Sequence, residues 1–146
     1  MPYTFKLEAL RQFREFEEER VQREFSQAQR ILEAAASKLA EQIAVRDKTE
    51  TEFAAHQDSG TASQCAMYRG FLQRLAEEIE LLNQRLRVAE RDCEKKRQAL
   101  LAAVKNRKTL DRLKEKDEQA YRHKQDQEEG KFIDEMAINR FQLNRG

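Results

Sequence analysis

Residues 65–82, Cys65-Ala66-Met67-Tyr68-Arg69-Gly70-Phe71-Leu72-Gln73-Arg74-Leu75-Ala76-Glu77-Glu78-Ile79-Glu80-Leu81-Leu82, decide the fold. Apolar residues recur at steps of three and four: Cys65, Tyr68, Leu72, Leu75, Ile79 and Leu82, continuing to Leu86, Ala89 and Cys93. Lys96 breaks the series, and Leu100 and Ala103 resume it. This is a heptad seam on a long helix. Residues 64–143 contain no proline and two glycines, Gly70 and Gly130, so the helix has little to stop it before its end. A stripe of this kind needs a partner to bury it.

The partner is the start of the same chain. Val21, Phe25, Ala28, Leu32, Ala35 and Leu39 step by four and three, and the stripe continues through Ile43, Arg46 and Phe53. Earlier, Leu10, Phe13 and Phe16 form an apolar ridge, and simple packing accounts for Phe5, Phe13, Phe16 and Phe25. Thr4 is placed to cap this helix. Between the two stripes lies His56-Gln57-Asp58-Ser59-Gly60-Thr61-Ala62-Ser63-Gln64, the one strong turn signal. Gly60 can end a helix in the left-handed conformation, and Thr61 with Gln64 is a capping-box pattern for the next one.

The expected fold is all-α: a long two-helix antiparallel coiled-coil hairpin in a single domain over 1–146. Helix 1 covers about 5–57, the turn 58–63 and helix 2 about 64–143. Reversal near Gly60 sets Phe53 near Met67, Leu39 near Leu82, Leu32 near Leu86 and Phe25 near Cys93. The first arm reaches back only to about residue 115, so the last stretch of helix 2 overhangs without an intrachain partner. Gly130 is a candidate bend or fraying point within it.

Composition narrows the function. Charged residues make up 38% of the chain and the formal net charge is +1, with acids and bases interleaved, so bulk attraction to nucleic acid or to an anionic membrane is not indicated. No apolar run has the length of a membrane span, and no signal-peptide core is expected at the start. Cys65 and Cys93 lie roughly 40 Å apart along one helix at ~1.5 Å per residue and cannot bridge each other, which suits a reduced, cytoplasmic protein. His56 and His123 have no metal-site spacing, and there is no phosphate loop or nucleophile–base set. Neither catalysis nor a metal or cofactor is expected.

Two segments stand out from solvated helix faces. Residues 105–116 carry far more bases than acids, with Arg107 and Lys114 at heptad positions, and offer an acidic surface something to bind. Residues 131–141 hold Phe132, Ile133, Met136, Ile138 and Phe141 where helix 1 no longer reaches; such a ridge docks into a partner, self-associates or folds back.

Taken with Phe5-Lys6-Leu7-Glu8-Ala9-Leu10, the Gly60-Thr61-Ala62-Ser63 turn, Tyr68-Arg69-Gly70-Phe71-Leu72 and the run Asp134-Glu135-Met136-Ala137-Ile138-Asn139-Arg140-Phe141, the chain resembles the FliJ family of the bacterial flagellar export apparatus. The resemblance spans nearly the whole sequence. It implies a non-catalytic stalk, similar to that of rotary ATPases, whose terminal end enters a hexameric export ATPase while its hairpin end faces the cytoplasmic domain of the membrane-bound export gate. Export chaperones are further implied partners; nucleic acid and direct membrane insertion are not. The implied location is cytoplasmic, peripheral at the inner membrane. The resemblance places ATPase contact on Arg107, Lys108, Arg112, Lys114, Lys116, Met136, Arg140 and Phe141, and gate contact on Tyr68, Phe71 and Leu75. Tyr68 and Leu75 lie on the seam, where core packing also explains them; Phe71 lies off it. A homodimeric coiled-coil scaffold, a stalk of a virulence type III secretion system and an RNA-binding helical arm are the competing readings.

Overall fold

The structure, a computed structural model, describes residues 2–145. Two α-helices account for nearly all of it: α1, Glu8–His56, and α2, Ala62–Arg145. No strand occurs among the described residues, and the all-α expectation holds. The chain forms two compact units. One is Arg20–Leu101; the other joins the residues up to Glu19 with those from Ala102 onward.

In the unit Arg20–Leu101 the heptad reading holds position by position. Leu75, Ile79 and Leu82 of α2 close around Leu39 of α1, with Ile43 and Leu86 packed against them. Val21, Ala28 and Ala89 are also buried, and the remaining seam members, from Phe25 and Leu32 to Leu72 and Cys93, are half-buried. The stripe is thin, so each buried leucine carries a large share of the contact. Where Lys96 interrupts it, the ammonium reaches Glu24 of α1 at 3.4 Å, and the seam closes through an ion pair.

The turn is built as its sequence suggests, with two differences. Thr61 and Gln64 exchange hydrogen bonds: the Gln64 amide donates to Thr61 Oγ1 and the Thr61 amide to Gln64 Oε1, both at 3.2 Å. Gly60, however, does not adopt a positive φ. It is needed for close approach instead. Its amide donates to the His56 carbonyl at 2.8 Å, and a Cβ there would sit 2.8 Å from that same oxygen. Phe53, set near Met67 by the expected register, packs instead against Tyr68, with ring centroids 5.5 Å apart and the planes tilted by 55°. Tyr68 is on the seam, whereas Met67, one residue earlier, is turned by about 100° to the outside.

The unit containing both chain ends is assembled differently. Leu10, Phe13 and Phe16 do not pack; Phe13 and Phe16 are 56% and 59% exposed. Counting back from Val21 in steps of three and four leads to Glu18, Arg14 and Arg11. The apolar residues are spaced by three alone, a rhythm that swings about 60° per step around a 3.6-residue helix and leaves the seam. The expectation of packed early aromatics therefore fails for these two, while Phe5 and Phe25 are half-buried. Around Ala103 and Leu110, the buried residues of α2 here, the helices are joined by charges: Glu8 with Lys114 at 3.3 Å, Arg11 with Asp111 at 3.4 Å, and Glu18 with Arg107.

Helix α1 begins at Glu8 rather than near residue 5, and Thr4 does not cap it. The Glu8 amide donates to the Phe5 carbonyl at 3.1 Å, and the residues before it lie along α2. Tyr3 donates its hydroxyl to Asp117 Oδ2 at 2.9 Å and sets its ring 5.3 Å from that of Tyr121. Intrachain cover thus extends past residue 115, to Tyr121. From Arg122 to Asn144 every side chain is exposed, and α2 runs unbroken through Gly130.

Candidate interaction surfaces

The basic segment 105–116 divides into two faces. Arg107 and Lys114 point toward α1. Arg107 pairs with Glu18 and, at 2.7 Å, with Asp111; its guanidinium is held above its ordinary pKa, first by the hydrogen bond to Glu18. Lys114 reaches Glu8, whose carboxyl falls to about 2 because Arg11 donates to it at 2.8 and 3.1 Å, with Lys114 adding to the effect. These two bases close the seam. Lys108, Arg112 and Lys116 are exposed, and with Lys105 they follow at intervals of three and four along the opposite side of α2. No ion pair engages these four among the described residues. The structure thus reduces the candidate basic surface from five expected residues to a stripe containing three of them, plus Lys105.

That distinction could have been read from the heptad. Arg107 and Lys114 sit seven apart on the seam, and a charged seam position in a hairpin finds its partner across the helix pair. Glu8 and Glu18 were the missing half, hidden because the apolar ridge of Leu10, Phe13 and Phe16 suggested another face for α1.

Tyr3 joins the same network. Its partial burial, with the bond to Asp117 and the nearby carboxylates, pushes its hydroxyl up to about 12. On α2, Met136, Arg140 and Phe141 all lie in the exposed stretch.

Near the turn, the three residues expected at the gate end separate. Leu75 is 4% exposed and belongs to the core, so it has no surface to offer. Tyr68 is half-buried between Phe53 and the His56 ring, the latter stacked at 6.4 Å. Phe71 is 41% exposed, as its off-seam position required. It lines a shallow groove with Thr49, Glu52, Met67, Tyr68 and Arg74. Met67, 72% exposed, is the member that sequence reasoning missed, having placed it against Phe53. Its signal was its position one residue before a seam tyrosine. Thr49 is buried, and its hydroxyl donates to the Val45 carbonyl at 2.7 Å, which leaves its methyl for the groove wall.

No group of His, Cys, Asp and Glu that could hold a metal ion occurs among the described residues. The surfaces are elongated, amphipathic and charged, and suit contact with other macromolecules. No helix is long and apolar enough to cross a membrane among the described residues.

The family model described as flagellar FliJ protein matches residues 3–146, both compact units included. The chain belongs to the FliJ family. Membership makes it, in outline, a type III export stalk protein. No curated protein matches the sequence. Among solved structures, one described as "putative YscO homolog CT670 from Chlamydia trachomatis" superposes with a TM-score of 0.73 over 99% of this chain and 98% of its own, at 19% identity. At that identity the likeness shows a shared fold.

Proposed function

We propose that this FliJ-family chain is a non-catalytic central stalk and adaptor of the flagellar export apparatus. In this reading it links the hexameric export ATPase to the cytoplasmic domain of the export gate and also binds export chaperones. It works in the cytoplasm, held peripherally at the inner membrane by those partners. The observation that carries the reading is the family match over residues 3–146.

The placement of side chains supports a division of labour. Lys108, Arg112 and Lys116 are exposed cations on one side of α2, and Met136, Arg140 and Phe141 follow on its exposed end; these are the ATPase-side contacts of the proposal. Phe71 and the accessible edge of Tyr68 serve the gate side, with Met67 beside them. Arg107, Lys114 and Leu75 are assigned instead to holding the helices together. Coiled-coil packing gives the adaptor stiffness without requiring a pocket.

The test is whether the purified chain raises the ATP hydrolysis rate of its matching export ATPase at substoichiometric amounts. Stimulation that saturates near one chain per hexamer is expected. Absence of stimulation by a folded, helical chain refutes the stalk reading and leaves a gate-binding or chaperone-binding adaptor. Deletion in the source bacterium separates the flagellar from the virulence version: loss of flagella is expected, and loss of effector secretion with flagella intact assigns the chain to the other system.

A further inference from the structure

The seam that the rest of the chain covers up to Glu118 and Tyr121 does not stop there. It continues from Tyr121 by a step of four to Gln125, and then through Glu129, Phe132, Met136, Asn139 and Leu143 at alternating steps of four and three. These six residues form a heptad seam, and every side chain around them is exposed. Phe132, Met136 and Leu143 supply its apolar part, with Ile133 on its flank. A helix is needed to cover it, and α1 begins too late to be that helix.

We propose that two copies of this chain pair antiparallel through residues 125–143, each arm supplying the second strand that the other lacks. The charge pattern selects this occupant and this direction. In an antiparallel pair Phe132 faces Met136 of the second copy, and by symmetry the contact occurs twice. Glu129 faces Asn139, and Gln125 faces Leu143. On one flank Ile133 meets its own counterpart at the two-fold axis. On the same flank Asp126 lies opposite Arg140 of the second copy, again twice, giving two ion pairs. A parallel pair would also gain two flank ion pairs, Glu135 with Arg140, but it would set Glu129 against Glu129 in the seam itself, where like charges are more unfavourable than on a solvated flank. The antiparallel pair has one unfavourable contact, Glu135 against Glu135 on the outer flank. Three distinct seam layers, repeated by symmetry, make a small interface, at the low end of the roughly 1,200 Å² associated with stable complexes, so the pairing is reversible and concentration-dependent. Arg140 and Met136 are also ATPase-side contacts in the proposed function. The pairing stands without that reading; if both hold, the two uses of the arm compete.

The experiment is sedimentation of the full chain over a series from low micromolar to millimolar. The weight-average mass is expected to rise from monomer toward dimer. Phe132→Asp abolishes the rise without changing the far-ultraviolet circular dichroism, because the side chain is exposed in the monomer. Arg140→Glu weakens pairing about tenfold, since two ion pairs become two like-charge contacts. The double variant Asp126→Arg with Arg140→Glu restores it to near the wild-type value. A chain that stays monomeric throughout assigns the arm to a different protein and overturns the proposal. Pairing that survives Phe132→Asp overturns it as well. So does rescue of Arg140→Glu by Glu135→Arg rather than by Asp126→Arg, which is the signature of parallel strands.

Discussion

Leu82→Ala and Phe13→Ala should have opposite consequences to those suggested by side-chain size. Leu82 is 4% exposed and touches the cluster of Leu39, Leu75 and Ile79. Truncation removes three buried carbons at ~0.8 kcal/mol each, about 2.4 kcal/mol before any cavity is counted. A seam of two helices can draw together and admits water at its edges, so little cavity persists. The cost should be about 2–3 kcal/mol, the lower part of the range for buried leucines. Phe13 is the larger residue but is more than half exposed, with the seam beside it made by Arg11 and Glu18. Replacing it forfeits little burial, and alanine is the better helix former by some tenths of a kcal/mol. A net change within about ±0.5 kcal/mol follows. Urea unfolding monitored by far-ultraviolet circular dichroism, with both variants and wild type at one dilute concentration, measures the contrast. If Phe13→Ala costs as much as Leu82→Ala, the aromatic ridge is buried after all, and the assignment of a charged seam to this part of the chain is wrong.

Acid should loosen the unit containing both chain ends in a specific window. Glu8 has its carboxyl lowered from 4.5 to about 2, so its contribution is complete above pH 4.5 and fades as pH falls toward 2; Glu8→Gln removes that part of the pH dependence in melts. At the alkaline end the sign reverses: Tyr3 is raised from 10.0 to about 12, its contribution is complete below pH 10 and is lost as pH rises through 12, and Tyr3→Phe flattens that limb. Phe71→Ala should weaken binding to the export-gate domain in a pull-down or titration while leaving helicity intact; a collapse in helicity would place Phe71 in the core. Arg112→Glu with Lys116→Glu should reduce stimulation of the export ATPase, and unaltered stimulation moves that contact off the basic stripe. Deleting residues 131–146 should leave the melting midpoint of dilute protein within a few degrees of wild type, because the side chains of 131–144 are exposed; a large drop would show that this arm is packed within the chain.

Much of this molecule is legible from one dimension because its core is one-dimensional. In Arg20–Leu101 the period of apolar residues names the buried face of each helix, and Gly60 with the Thr61–Gln64 box marks where the chain reverses. Neighbours along the sequence largely determine such features: a cap is satisfied within four residues, and a heptad face follows from 3.6 residues per turn. Off-seam Phe71 was legible for the same reason. The register was less so: the position of the turn alone puts Met67 opposite Phe53, yet Met67 lies off the seam, and it is the seam residue Tyr68 that meets that ring.

Tertiary structure decided what periodicity left ambiguous at the two chain ends. Leu10, Phe13 and Phe16 compete with Arg11, Arg14 and Glu18 for the inner face of α1. Only the presence of Asp111, Arg107 and Lys114 across the seam shows why the charged face wins, each ion finding its counter-ion about a hundred residues away. Tyr3 could not be placed from local sequence either, because its partners, Asp117 and Tyr121, belong to the far end of the chain. The sequence by itself determined two long helices, their turn and the apolar seam of Arg20–Leu101, since short-range periodicity and capping suffice for these. Which bases are consumed in holding the helices together, and which remain to meet a partner, depends on pairs distant in sequence, and only the folded arrangement brings those pairs within reach of each other.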